Sequence, residues 1–276
     1  MRNNYSILIN TCDSFEDCWD PFFKLFTSFW SDCSGSVYLN TEFKDYSYPG
    51  MSIIPVRNTE GRGLARATWS QCLRWALESI CDDVILYMQE DYFLKAKVKN
   101  DLVEQYVDLM YSDDKIKCIH LTDQSVESDA KSEFDNLDIV IRKQRYRVSC
   151  QAALWRKEEL LSLIRDYESA WEFEEYGSKR SAVMGHLYLA VSHSFVVLDE
   201  FEIVPYIFTG IVKGRWYEPT KDLFERNGIE MDWSSRGFIG DAPSKPLGDR
   251  IIYRLRKIPK SIRSFFEVLA LKLHKI

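Results

Sequence analysis

Leu86-Tyr87-Met88-Gln89-Glu90-Asp91 is the segment of this 276-residue chain in which residue type and spacing carry the most chemistry. An apolar run from Val84 to Met88 ends in an amide and two carboxylates. Two acids at the rim of a buried strand repel each other and resist removal from water. A hard divalent cation relieves both problems, because it takes carboxylate oxygens as ligands. Held there, it bridges a diphosphate and stabilises the charge that develops as the diphosphate leaves. The same two acids also read as a solvated pair capping the next turn. Further along, Trp171-Glu172-Phe173-Glu174 sets two more carboxylates two residues apart, a spacing that turns them to different faces of a strand or a helix. His186 and His193 lie seven apart, about two helical turns. Gly210-Ile211-Val212-Lys213-Gly214-Arg215-Trp216 is either a loop able to close over a diphosphate or a plain surface turn. There is no Gly-x-Ser-x-Gly, no HExxH and no Walker loop, which argues against a nucleophilic triad, a zincin and a P-loop nucleotidase.

The elements that must position these groups follow from hydrophobic periodicity. Tyr5–Asn10 reads as a buried first strand, followed by the turn Thr11-Cys12-Asp13-Ser14. Trp19, Phe22, Phe23, Phe26 and Trp30 recur at helical spacing. Val37–Leu39 and Ser52–Val56 are short strands, and Leu73, Ala76, Leu77 and Ile80 mark one face of a helix. The strand Val84–Met88 comes next, then a helix over Asn100–Tyr111 and a strand at Ile116–Leu121. Residues 122–138 are polar and read as a loop or excursion. Arg147–Leu154 reads as a strand and Lys157–Arg165 as a helix, with a further helix able to begin near Trp171. Such alternation predicts an α/β fold with a mostly parallel sheet flanked by helices. Ligands of such sheets bind at the carboxyl ends of the strands, where Asp13, Glu42 and Asp91 converge if their strands are neighbours.

Composition sets the outer bounds. Hydrophobic residues make up 46% and charged residues 28%, enough to bury a sizeable core. Aromatics reach 14%, which suits stacking on sugar rings and equally suits a large aromatic core. A net charge of −6 argues against a dedicated nucleic-acid binder. The seven cysteines are odd in number and form no CxxC pair, as expected of reduced thiols in a cytoplasmic protein, and no run is apolar enough to span a membrane. The charge is unevenly spread. From Asp249 onward eight Lys and Arg face two Asp and Glu, a net +6 that leaves −12 on the rest. Ile251, Ile252, Leu255, Ile258, Ile262, Phe265, Phe266, Leu269, Leu273 and Ile276 recur among those cations every three to four residues, in a pattern interrupted or restarted at Pro259. Such an amphipathic cationic tail suits an anionic membrane surface, or docking on the acidic body. Pro243–Pro246 resembles a linker, so the chain divides into 1–245 and a tail of 246–276.

Ile85-Leu86-Tyr87-Met88-Gln89-Glu90-Asp91 resembles the strand and acidic motif of GT-A fold glycosyltransferases, in particular the family 2-like enzymes of bacterial surface polysaccharide (O-antigen or capsule) synthesis. Gln89 departs from the pattern by standing at the first acidic place. Gly61-Arg62-Gly63-Leu64-Ala65-Arg66 resembles the Gly-x-x-x-Ala-Arg stretch before that motif, and Ser149–Leu160 resembles the strand-to-helix segment before the acceptor site. The resemblance covers about residues 5–180 and implies a Rossmann-type GT-A fold. It implies donor contacts from Thr11, Asp13, Glu42, Arg66, Gln89 and Glu90, and a divalent cation (Mn2+ or Mg2+) on Asp91 with His186 as a further ligand. By the same resemblance, Glu174, or alternatively Glu172, is the base of an inverting transfer, although both also read as ordinary acids at a helix N-terminus. Trp171 and Trp155 are candidates for stacking on the acceptor sugar, or for core packing.

The implied activity moves a sugar from a nucleotide-diphosphate sugar, with uridine diphosphate as the default, to a glycan or lipid-linked oligosaccharide. It would operate at the cytoplasmic face of the inner membrane, as in lipopolysaccharide synthesis. Two other readings stay open: a membrane-recruited binding protein on a degenerate transferase fold, and a metal-dependent phosphotransferase or hydrolase using Glu90 and Asp91.

Overall fold

A computed structural model describes residues 4–63, 67–122, 126–241 and 247–273. In chain order, strands β1 (Ser6–Asn10), β2 (Ser36–Asn40), β3 (Ile53–Pro55), β4 (Val84–Gln89), β5 (Ile116–His120), β6 (Ser128–Lys131), β7 (Leu137–Val140), β8 (Ala153–Arg156) and β9 (Leu187–Val191) form one sheet. Its order is β3-β2-β1-β4-β8-β5-β9-β7-β6. Seven of these strands point the same way, and β8 and β7 run against them. The fold is therefore α/β, with a large, mostly parallel sheet flanked by helices.

Strand alternation explains the layering. In β4, Val84, Leu86 and Met88 face one apolar core while Ile85 and Tyr87 face the other. A strand covered on both sides must be apolar throughout, which is why VILYM reads as an unbroken run. Helix α1 (Trp19–Phe29) fills the first core with Trp19, Phe22, Phe23 and Phe26, and Phe26 stacks on Trp30 at 5.1 Å. Helix α3 (Asn100–Ser112) lies on the same side. On the other side, α2 (Trp69–Ser79) begins with a capping box in which Thr68 and Gln71 bond each other's backbone. There α4 (Lys157–Leu163) and α5 (Ala170–Met184) complete the cover.

The chain passes from β1 to β2 to β3 in one direction, then crosses back to place β4 on the other side of β1. The strand order therefore reverses between β1 and β4, where Asn10 lies in register with Gln89. Reversal of strand order opens a crevice at the carboxyl ends.

Three regions differ from the sequence expectation. The 122–138 excursion contains β6 and leads into β7, an antiparallel pair closing the sheet edge, whose polar residues hid the strand pattern. The strand expected over Arg147–Leu154 is regular only from Ala153 and runs antiparallel between β4 and β5. Its reversal leaves 149–151 at the carboxyl end of β4. The C-terminal helix α7 (Leu247–Leu273) is continuous through Pro259. Between β9 and α7 lie the two-stranded ribbon β10 (Ile211–Val212) and β11 (Arg215–Trp216) and the helix α6 (Pro219–Arg226). No described helix is long and apolar enough to cross a membrane.

Candidate active site

The crevice between β1 and β4 is a cavity of about 1000 Å3. Asn10 and Thr11 reach it from the end of β1, Gln89, Glu90 and Asp91 from the end of β4, and Glu174 from the second turn of α5. Of the acids beyond strand ends, Glu90 and Asp91 line the cavity and Asp13 and Glu42 do not; of His186 and His193, only His193 does.

Asp91 is buried, and one of its oxygens is fully engaged. Oδ2 accepts the Thr209 hydroxyl at 2.6 Å and the Ile211 amide at 3.1 Å, while its carbonyl accepts the Gly210 amide at 2.8 Å. Residue 210 must be glycine for this approach: a Cβ would stand 2.3 Å from the Phe93 ring and 2.9 Å from the Asp91 carbonyl oxygen. The other oxygen, Oδ1, is buried with no hydrogen-bond partner. Beside it, Glu90 is also buried. Burial and the neighbouring Asp91 push the Glu90 carboxyl well above the usual range, against a downward pull from Arg236. Burial raises Asp91 too, and the Thr209, Ile211 and Gly210 donors hold it back. Two buried, mutually repelling carboxylates, one with an open oxygen, present hard donors without a cation of their own.

Those donors fit a divalent cation in one way. Among the described residues no group of three or more His, Cys, Asp or Glu is arranged to hold a metal. Two carboxylates alone are a set that suits Mg2+ or Mn2+ when substrate phosphates and water complete the coordination. Gln89, at the first acidic place of the motif, donates its amide to the Tyr87 hydroxyl at 3.2 Å and lines the cavity without adding charge.

Glu174 lines the cavity as well, as does Glu127. Its Oε1 accepts the Cys150 amide at 2.8 Å, and the Ser149 hydroxyl lies at 3.4 Å. Burial raises the carboxyl, while Cys150, Ser149 and the Arg145 charge partly offset the rise. Glu172, one half-turn away, points elsewhere. Its Oε2 closes the α5 capping box by accepting the Ser169 amide and hydroxyl, each at 2.9 Å, and pairs with Lys260 at 2.7 Å. Burial alone would raise Glu172, but Lys260 and Ser169 hold it below the usual range. The Glu172 carboxylate is committed to a helix cap.

Asp13 and Glu42 meet each other beyond the ends of β1 and β2 rather than lining the cavity. The Asp13 carboxylate accepts the amides of Glu42, Phe43 and Lys44 at 2.9, 3.0 and 3.2 Å, and Glu42 accepts the Asp13 amide at 3.2 Å. Their oxygens tie two loops together. Thr11 does line the cavity, with its hydroxyl accepting the Trp19 indole N–H at 2.9 Å. Arg66 lies outside the described residues.

The histidines flank β9 rather than sharing a helix face. His186 precedes the strand, at the edge of the sheet opposite the cavity, where its Nδ1 lies 2.7 Å from the Glu159 carboxylate. A five-residue strand is about 17 Å long, which removes His186 from Asp91. His193, two residues past the strand, lines the cavity. Trp171 lines it too and is 69% exposed, whereas Trp155 is buried against His120 and Tyr188 in the core.

Residues 211–214 form another part of the cavity wall, next to Asp91. Lys213 and Gly214, at φ 54° and 81°, make the two-residue turn of the β10–β11 hairpin. Both central residues have positive φ, as a hairpin turn matched to strand twist requires. Lys213 brings a positive charge to the cavity wall.

Several contributors were not singled out by the sequence analysis. Asn10 donates to Tyr87 at 3.2 Å, Asn40 to Asn10 at 2.7 Å and Asn58 to Asn40 at 2.5 Å, a buried chain across three strand ends. Gln151 joins Tyr92 and Tyr206, whose rings stack at 4.7 Å, beneath the 149–151 wall. An asparagine closing each of two buried strands was the available clue, since a buried amide needs a partner.

No family model matches the chain, and no curated protein matches it. Solved structures do. A mycobacterial protein is 11% identical with a TM-score of 0.48, covering 83% of this chain and 76% of its own. A mannosyltransferase from Pyrobaculum calidifontis, in complex with GDP-Man and Mn2+, is 13% identical with a TM-score of 0.47, covering 98% of this chain and 75% of its own. Glucosyl-3-phosphoglycerate synthase from Mycobacterium tuberculosis, in complex with Mn2+, UDP and glucosyl-3-phosphoglycerate, is 10% identical with a TM-score of 0.45, covering 83% of this chain and 81% of its own.

Proposed function

We propose that the chain is a glycosyltransferase that moves a sugar from a nucleotide-diphosphate donor to a hydroxyl of a glycan or lipid-linked glycan acceptor, with inversion. The observation that carries this reading is the open, buried Oδ1 of Asp91 beside the buried Glu90, in a cavity that also holds the raised carboxyl of Glu174. A divalent cation would answer the first pair, and an acceptor hydroxyl needing a base would answer Glu174.

Asp91 and Glu90 would hold the divalent cation, Mn2+ or Mg2+, which would supply positive charge to stabilise a departing diphosphate. Thr209 and the Ile211 amide fix the Asp91 carboxylate through Oδ2, which leaves Oδ1 without a partner from the chain. Lys213 adds positive charge to the same wall. Glu174 accepts the proton of the acceptor hydroxyl as that oxygen bonds to the anomeric carbon and the bond from that carbon to the diphosphate breaks. A raised carboxyl suits this role, because a base works best when its pKa approaches the working pH. Trp171 offers an exposed ring at the cavity mouth for the acceptor sugar to stack on.

Thermal unfolding against a panel of nucleotide sugars, with and without Mn2+, tests the reading. The donor raises stability by about 2.7 kcal/mol at a hundred times its dissociation constant, only when Mn2+ is present. Asp91→Ala removes the shift. Glu174→Gln keeps it and loses transfer. If no nucleotide sugar shifts the midpoint, the reading fails and the binding-protein alternative takes its place.

A further inference from the structure

Helix α7 is amphipathic in the inverted sense. The side facing the body is polar: Lys257 pairs with Glu175 at 2.5 Å, Lys260 with Glu172 at 2.7 Å, and Glu267 with Arg165 at 3.0 Å. The side facing away is apolar, and Ile258, Ile262, Phe265, Phe266, Leu269 and Leu273 are all exposed, Phe265 and Leu273 by 64% each. At 100° per residue these six fall on one arc of about 100°, roughly opposite the buried Ser264. A contiguous apolar arc of this kind marks an interaction surface. The helix's partners within the chain are already engaged on its other side.

Charge decides what covers the arc. Arg263 flanks it on one side and Lys272 on the other, and both are exposed. The one acid within 257–273, Glu267, is turned inward to Arg165. Beside the Lys272 flank opens a cavity of about 930 Å3 between α5, α7 and the 142–145 loop. Arg142, Lys143, Arg145, Lys179 and Lys272 line it. Its one acid, Glu175, is already paired with Lys179 and Lys257. A second copy of the chain laid on this arc would bring like charges together at both flanks. An anionic lipid surface instead supplies acyl chains for the arc and phosphates for the cations.

We propose that α7 lies in the interface of an anionic bilayer with its outer arc among the acyl chains, and that the Arg142/Lys143/Arg145/Lys179/Lys272 cavity receives a lipid phosphate headgroup. The proposal stands on the helix and this cavity, independent of the transfer reading. The cavity adjoins the candidate active site through the 145–146 segment, since Arg145 lines one and Tyr146 the other.

Co-sedimentation of the full chain with vesicles tests it, comparing pure phosphatidylcholine with phosphatidylcholine containing phosphatidylglycerol. The anionic vesicles bind at least tenfold more tightly, and added salt removes the difference. Lys143→Ala and Lys272→Ala each weaken anionic binding by about fivefold. Phe265→Ser with Phe266→Ser abolishes binding at an unchanged unfolding midpoint, since both rings are exposed. Equal capture by the two vesicles, or capture by neither, overturns the proposal. A concentration-dependent dimer that the double serine variant dissolves, with no vesicle capture, overturns it in favour of a second copy.

Discussion

Glu168 and Asp91 are both buried carboxylates, and the protein answers their burial in opposite ways. Glu168, on the α4–α5 side, gives both oxygens to Arg180 at 2.7 and 2.6 Å, and neither side chain has measurable exposure. Burial raises Glu168, and the Arg180 guanidinium is the main force holding it down. A similar arrangement nearby has Glu159 accepting the Tyr188 hydroxyl at 2.5 Å and facing His186 at 2.7 Å. At the carboxyl edge of the sheet, Asp91 keeps one oxygen open and has a second acid for a neighbour. A buried acid with a partner from its own chain is structure. A buried acid left partly unanswered is a place where a ligand completes the protein.

Removing a partner separates the two kinds of site most sharply. Arg180→Ala strands Glu168 as an uncompensated buried charge and costs about 3–5 kcal/mol. Chemical denaturation reads this directly, and the folded fraction keeps its Mn2+-dependent response to nucleotide sugar. A loss below about 1 kcal/mol would erase the distinction drawn between the two sites.

Asp91→Asn has the reverse signature. The amide oxygen still accepts from Thr209 and Ile211 and the side chain no longer repels Glu90, so the unfolding midpoint without ligand does not fall. Turnover falls by about 10²–10³, the cost of losing one well-placed electrostatic contact in a transition state. Equal losses of stability and turnover would show that Asp91 is a structural acid after all.

Glu172 and Glu174 repeat the contrast within a single helix. Glu172→Gln weakens a cap and an ion pair, costs about 1 kcal/mol and leaves turnover alone. Because its folded carboxyl lies below the usual range, that stability is present at neutral pH and is lost as pH falls through the folded value. Glu174→Gln leaves stability nearly unchanged and removes turnover. The acid limb of the wild-type kcat/KM profile falls above the ordinary glutamate value of about 4.3, because burial raises this carboxyl. A limb at or below that value would exclude Glu174 as the titrating base.

These contrasts also mark what the sequence could disclose. The strand over Val84–Met88 and the aromatic helix of Trp19–Trp30 were legible because a strand covered on both faces demands an unbroken apolar run and a helix covered on one imposes a helical period. The divergence of Glu172 and Glu174 followed from their spacing, although which of the two reaches the cavity did not. Strand direction was not legible. Reversal of β8 depends on which neighbours a strand meets, and 147–154 carries no mark of it. The seven-residue interval between His186 and His193 suggested two helical turns, whereas a strand lies between them and sends them to opposite edges. Asp13 and Glu42 were correctly placed beyond strand ends, yet their partners are each other's backbones, a fact that only packing decides.

Glu90→Gln is the smallest and most diagnostic change, because its sign differs from that of an ordinary lost contact. The folded carboxyl is raised well above its usual value by burial and by Asp91. Native Glu90 therefore holds a proton that the unfolded chain releases above about pH 4.3, and its contribution to stability is lost as pH rises from there toward the folded value. Glutamine does not ionise. Without cation, the variant matches the wild type near pH 4 and becomes the more stable of the two as pH rises to 7. With Mn2+ and donor the order reverses, because a carboxylate that repels Asp91 in the free protein becomes a ligand in the complex. Unfolding midpoints of both proteins across pH 4–8, with and without Mn2+ and nucleotide sugar, measure both halves. A variant that is less stable at pH 7 without cation would mean that Glu90, like Glu168, already has its partner within the chain.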